Sequence, residues 1–426
     1  MYFVHPQAKD VNIDVAVKGA AVQTGQNDGL ESPRADLSAF GSTAAVLASI
    51  RSARDGVSRV DIARATGLSK AIVTERVRSL ADAGLIVEAG ELDSTGGRRA
   101  TRLMLRDRLV VVGAEIAMTH IRASIINFRA DVLAEKTLPL SMKEGPDIVL
   151  EALEAAIADL LASIEPLVLC GIGVGVAGPV EFSTGRPVHP PVHPDWHDQP
   201  VRDRLAVRFG VPAWVDNEVN LMALAEQELG AGVGVPNSLT IKIGSWVGAG
   251  LISNGKLHRG ANGSAGSLVT SAGGDAIAAR AEELAVTGQS RSLSAVLGTR
   301  PITAQLVGEL AALGDDDCRQ ILDEAAEDIG RVISVLVDFF NPSLLVVAGG
   351  VTSGGDELLA HLRKTVYERS LALATRDLRI ERSDLGHNAA IHGAALMATT
   401  ELTSPAMLST TMSAVAAQVA RDARAR

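Results

Sequence analysis

A chain of 426 residues that is 47 % hydrophobic and 21 % charged can build two or three packed domains, and this composition excludes a disordered or fibrous protein. Two cysteines, Cys170 and Cys318, are too few for a disulfide framework or a thiolate zinc site. The formal charge of −10 is unevenly spread: residues 51–108 hold twelve Lys or Arg against eight Asp or Glu, a net of +4, which leaves −14 on the rest.

The opening residues lack the basic, apolar, small-residue order of a secretory signal, and no apolar run reaches the roughly 18 residues of a membrane span. A cytoplasmic protein with no membrane partner is therefore expected. Residues 1–37, rich in Gly, Ser, Asp, Asn and Gln without sustained periodicity, read as a flexible tail. From Ser38 the Ala-rich stretch "SAFGSTAAVLASIRSARDG" is helical up to Gly56. A short helix over residues 59–66 then meets Gly67, and Ser69 is placed to cap a longer helix. Helix, glycine-containing turn and helix form a helix-turn-helix pattern.

At about 100° per residue, Val73, Val77 and Leu80 share one face of that second helix and form its core stripe. Opposite them lie Ala71, Thr74, Glu75 and Arg78, with Ser69 and Lys70 at the N-terminal edge, a small and polar surface able to enter a major groove. Two β-like runs, residues 85–88 and 100–105, flank a Gly- and Asp-rich turn carrying Arg98 and Arg99, which suits contact with phosphates or a minor groove. The block spanning residues 38–106 resembles the winged helix of bacterial transcription regulators, with operator DNA as its implied partner.

After the linker "RDR" comes "LVVVGAEIAMTHIRASIINFRADVLAEKTLPL", an apolar strand, a turn, a second strand and a third. The same plan returns at "SLTIKIGSWVGAGLISNGKLHRG", which suggests two related lobes, residues 109–230 and 231–403, followed by an Ala-rich C-terminal tail over residues 404–426. Gly349 and Gly350 after "NPSLLVVA" allow either a close backbone approach to a nucleotide or a tight turn.

The order "GVAGPV", "PDW", "VDNEVN", "GANGSAG", "NPSLLVVAGG" and "GHNAAIHGAALMA" resembles the ROK family of repressors, open reading frames and sugar kinases, over roughly residues 44–397. The resemblance implies an α/β body with the two-lobed, actin-like fold shared with hexokinases. A winged helix ahead of that body resembles the repressor branch of the family.

Three departures from the kinase pattern stand out. The family's first hairpin turn carries Asp and then Gly-Gly-Thr-Lys to hold ATP phosphates and metal; here Glu115 replaces the Asp, and Ala117, Met118 and His120 replace the Gly, Gly and Lys. The family's Asn-Asp-x-Asn, whose Asp takes the proton from a sugar hydroxyl, corresponds to Asn217, Glu218 and Asn220. One extra methylene displaces that carboxylate by about 1 Å, enough to cost about a hundredfold in rate. The Asp216–Asn217 pair reads alternatively as a helix cap. The sugar-binding Glu and the His shared with a structural zinc are replaced by Ser267 and Thr270, and the family's zinc cysteines are missing. His189, His193 and His197 recur every four residues, but Pro190, Pro191 and Pro194 forbid the helix that would align them for a metal.

The expectation is a DNA-binding transcription regulator, a repressor in the first instance, with no catalytic residues, metal or cofactor. Asn217, Glu218 and Asn262 are expected to line an interlobe pocket for a sugar-like effector. A homodimer or homotetramer is expected, because paired half-sites need modules related by symmetry. The alternative is an active ATP-dependent sugar kinase carrying a DNA-binding module.

Overall fold

The computed structural model describes residues 34–91, 100–164, 167–190, 193–268, 273–350 and 357–424. Helices α1 (Arg34–Ser52), α2 (Arg59–Thr66) and α3 (Lys70–Asp82) precede an antiparallel hairpin of β1 (Ile86–Glu91) and β2 (Thr101–Leu105). Helix α1 starts at Arg34, inside the stretch expected as a tail. Gly67 ends α2 at a φ of 70°, a left-handed conformation that glycine adopts without strain, and its amide donates to the Ala63 carbonyl. Ser69 takes extended backbone, and its Oγ accepts from the Ile72 amide at the start of α3. Val73, Val77 and Leu80 are buried against Val46, Leu47 and Ile50 of α1 and Ile62 of α2.

The first lobe holds β3 (Leu109–Ile116), β4 (Ile121–Asn127), β5 (Val132–Leu138), α4 (Pro146–Ser163), β6 (Val168–Val176), the small hairpin β7 (Val180–Glu181) and β8 (Arg186–Pro187), α5 (Val201–Phe209) and β9 (Ala213–Asn217). Its sheet runs β5-β4-β3-β6-β9, with the first three strands antiparallel and the last two parallel to β3. Central β3 and β4 are buried along their whole length, as expected for near-continuous apolar strands covered on both faces.

Helix α6 (Glu218–Leu229) leads into the second lobe, made of β10 (Ser238–Ile243), β11 (Val247–Ser253), β12 (Lys256–Leu257), α7 (Gly274–Val286), α8 (Arg291–Val296), α9 (Ala304–Ala312), α10 (Asp316–Phe340), β13 (Leu344–Ala348), α11 (Glu357–Arg369), α12 (Ala372–Thr375) and β14 (Arg379–Arg382). Its sheet runs β12-β11-β10-β13-β14 with the same directions, so the two sheets repeat one topology. Gly349 has a φ of 108°, and a side chain there would overlap the Ile243 carbonyl, so that turn is fixed by packing against the end of β10.

Two C-terminal helices depart from the sequence reading. Helix α13 (Ala389–Leu402), expected within the second lobe, packs on β3 and β6 of the first and against α6. The approach is close enough that a Cβ on Gly113 or Gly173 would overlap the carbonyl oxygens of Ile391 or Ala394, and one on Gly393 that of Leu221. Residues 404–426, expected as a tail, contain α14 (Leu408–Arg424). Leu408, Thr411 and Val415 of α14 are buried. Leu408 and Val415 belong to one continuous core with Val46, Leu47 and Ile50 of α1 and Leu109, Val111 and Phe128 of the first lobe. The N-terminal module therefore shares its apolar core with the first lobe and α14, which ties its position to theirs.

Candidate functional site: the third helix and the interlobe cleft

On α3, Ser69, Lys70, Ala71, Thr74, Glu75 and Arg78 are all exposed, on the side away from Val73, Val77 and Leu80. Thr74 returns its hydroxyl to the Lys70 carbonyl at 2.8 Å, and Arg78 lies 3.8 Å from Asp82 in a solvent-exposed pair. Glu75 sits 3.2 Å from Arg76, which also donates to Ser42 of α1 at 3.0 Å. Arg98 and Arg99 lie outside the described residues.

Between the lobes is a cavity of about 540 Å³. One wall is the turn joining β3 and β4, Ala117 to His120; the facing wall is the turn joining β10 and β11, Gly244 to Trp246. Two hairpins repeated in sequence thus meet across the cleft, and each presents a side chain, Met118 or Trp246, where a bare backbone loop would leave space. Trp246 is 40 % exposed at the cleft wall.

The cleft floor is a charged cluster drawn from both lobes. Glu218, in the first turn of α6, is buried, with its Oε2 2.5 Å from Nζ of Lys242 on β10. Lys242 Nζ is 3.9 Å from Oε1 of buried Glu115 on β3, and His120 Nε2 is 3.6 Å from Glu115 Oε2. Burial pushes the Glu218 carboxyl above the ordinary range, with Lys242 only partly offsetting it and the Glu115 charge adding to the rise. Burial also works on Glu115, but there the His120 hydrogen bond and the Lys242 charge outweigh it and hold the carboxyl low. Burial opposes the Lys242 charge, yet its two carboxylate neighbours prevail and raise its pKa.

A second ion pair crosses between the lobes beside the first. Asp216, fully buried at the end of β9, accepts Arg259 Nε at 2.7 Å on Oδ2, while Oδ1 accepts from the Asn217 amide at 2.7 Å and Asn220 Nδ2 at 2.9 Å. The Arg259 guanidinium also sits 3.9 Å over the Phe182 ring.

The sequence candidates fare unevenly in this geometry. Asn217 lines the cavity, but its side chain caps α6: Oδ1 accepts from Val219 at 2.8 Å and Asn220 at 3.4 Å, and Nδ2 donates to the Gly178 carbonyl at 2.6 Å. Glu218 lines the cavity and is held by Lys242. Asn262 is exposed on a loop that packs against β7 through Gly263, and it does not line the cavity. Motif position alone had placed it there. Ser267 reaches the cavity, while Thr270 lies outside the described residues. The His189 and His197 rings stack on each other 3.8 Å apart, and only His193 of the three lines the cavity. Lys242, Trp246 and Arg259 were missed. Lys242 left a signal, as the one charge inside the apolar strand "SLTIKIG".

The ROK family model matches residues 111–268 and 266–401. The chain belongs to the ROK family. Among curated relatives, the DNA-binding transcriptional dual regulator NagC of Escherichia coli K12 is 29 % identical over 365 residues, covering 80 % of this chain and 88 % of that protein. Among solved structures, a ROK family transcriptional regulator described as a homologue of E. coli MLC superposes with a TM-score of 0.75 at 20 % identity, over 88 % of this chain and all of that one. A ROK family glucokinase from Streptomyces griseus, in complex with glucose and AMPPNP, superposes with a TM-score of 0.61 at 25 % identity, over 68 % of this chain and 99 % of its own. The mixed α/β lobes agree with the kinase-like fold of these neighbours. Among the described residues, no helix is long and apolar enough to cross a membrane.

Proposed function

We propose that this chain is a DNA-binding transcriptional regulator of the ROK family, a repressor, whose kinase-like body senses a small molecule and dimerises instead of transferring phosphate. The observation that carries the reading is the exposed polar face of α3, set behind a capped turn and backed by a buried apolar stripe. The N-terminal module is read as a winged helix, with Lys70, Ala71, Thr74, Glu75 and Arg78 facing base edges and Ser69 near the phosphates. The regulator neighbour supports this reading. It aligns over 88 % of the chain, whereas residues 109–426 amount to only about three quarters of it, so the likeness of fold extends into the module.

The cleft supports a sensing role over phosphoryl transfer. A base must be free to take a proton, but Glu218 is buried against Lys242 at 2.5 Å. Nucleotide phosphates do not fit the residues present: Met118 and Trp246 occupy the two facing turns, and Glu115, Glu218 and Asp275 add negative charge along the cavity. The Lys242–Glu218 and Arg259–Asp216 pairs each join one lobe to the other. A ligand whose hydroxyls compete for these carboxylates shifts the lobe geometry only as far as it binds one arrangement better than the other. The core shared by the first lobe, α14 and α1 then carries that shift to the DNA-binding module.

The test is selection of bound fragments from the DNA around the gene that encodes this chain, followed by affinity measurements over a range of salt. The intact protein is expected to enrich a two-fold-symmetric site. Lys70→Ala with Arg78→Ala is expected to weaken binding and to reduce the salt slope by roughly one for each phosphate no longer neutralised. Enrichment of no sequence, or unchanged binding by the double variant, overturns the assignment.

A further inference from the structure

The second lobe leaves one helix face uncovered. On α10, Val335 and Phe339 stand four residues apart on one side, while Ile333 and Val337 of the same turns are buried. Leu371, leading into α12, is anchored beside them: its amide donates to Asp338 Oδ1 at 2.8 Å, and Ser370 Oγ donates to the Ser334 carbonyl at 3.4 Å. Val335, Phe339, Leu371 and Leu373 are between 66 % and 86 % exposed. Lone exposed apolar residues are ordinary, but a cluster that includes a nearly bare phenylalanine is the composition of an interface centre.

The rim tells what covers it. Arg331 pairs with Asp328 one and two turns before Val335, and Arg369 pairs with Glu327 at 2.8 Å beside Leu371. Both signs are therefore present around this patch, in a chain whose body is acidic overall. A two-fold interface brings a surface against itself, so a face of one sign repels its own copy while a face of mixed sign can pair with it. A lipid surface would instead call for a predominantly basic rim.

We propose that this face, centred on Phe339 and Val335 of α10 with Leu371 and Leu373 at its edge, is the two-fold contact with a second copy of this chain. The inference rests on the dimeric reading above and gives that reading its surface. Four such side chains per copy supply the apolar centre of a standard interface, which buries about 800 Å² per partner.

Analytical ultracentrifugation of the full chain, as wild type, Phe339→Glu and Leu373→Glu, tests this. Both positions are solvent-exposed, so far-UV circular dichroism and the melting temperature of the monomer are expected to be retained. Wild type is expected to sediment as a dimer or a dimer of dimers, and Phe339→Glu to raise the dissociation constant about thirtyfold or more, as losing a central aromatic anchor does. Leu373→Glu is expected to have a smaller effect in the same direction. Wild-type dimers that persist unchanged in both variants overturn this surface and leave the dimeric reading standing. A wild-type chain that is monomeric at micromolar concentration overturns both, and then the patch must serve another protein.

Discussion

On α3 the polar side chains point into solvent, and their pairs are exposed and local, such as Arg78 with Asp82. In the cleft, Asp216, Glu218 and Glu115 are buried and reach counter-charges that lie on the opposite lobe, Arg259 and Lys242. Exposed pairs contribute little to stability, whereas breaking a buried one leaves a charge without compensation. The α3 face can therefore change with its DNA site at small cost to folding. The cleft charges hold the lobes together, and any ligand that uses them also acts on the lobe arrangement.

Substitutions can break this contrast at either end. The largest effect is expected from Lys242→Met, which strands Glu218 and Glu115 and destabilises the chain by about 3–5 kcal/mol in denaturant unfolding. Adding Glu218→Gln should recover part of that loss, and failure to recover any would show that the two side chains do not act as a pair. Within the module the sensitive residues are the buried ones: Leu80→Ala is expected to cost about 2–5 kcal/mol and to abolish DNA binding. If DNA affinity survived that change, the α3 stripe would not be what holds the recognition face in place.

Smaller effects sharpen the same comparison. Ser69→Ala removes the cap of α3, and a loss of about 1 kcal/mol is expected by thermal unfolding. Any further loss in DNA affinity then measures a direct contact by Ser69. The smallest expected effect concerns pH. Glu226, buried at the end of α6, is pushed upward by burial against the pull of the Ser383 hydroxyl and the Ala231 amide. A carboxyl whose folded pKa is raised stabilises the fold below the ordinary carboxylate range and loses that contribution as pH rises through its folded value. Stability of Glu226→Gln relative to wild type should thus rise over that interval, and a pH-independent difference would show that folding leaves the titration of Glu226 unchanged.

The module was legible because its determinants are local. Gly67, Ser69 and the stripe of Val73, Val77 and Leu80 lie within fourteen consecutive residues, so caps and helical spacing were enough. The repeated lobe plan was legible for the same reason, since each starts with an apolar hairpin. The cleft was only half legible. Glu115 and Glu218 stood out as departures, but Lys242 and Arg259 acquire meaning only when the lobes face each other. Asn262 was placed by motif alone, and a loop that turns onto β7 carries it away from the cavity. The C-terminal helix hid behind its Ala and Thr content, although Leu408, Met412, Val415 and Val419 carry a helical apolar spacing and pack into the module's core.

Above all, the cleft is read as having exchanged catalysis for an ionic contact between the lobes. A coupled ADP-release assay on the full chain with Mg-ATP and a panel of hexoses, run beside a ROK glucokinase, puts that exchange to the test. Release no faster than without sugar is expected, in wild type and in Glu218→Asp alike, because the facing turns still present Met118 and Trp246. Sugar-dependent turnover at a rate approaching that of the glucokinase would contradict it.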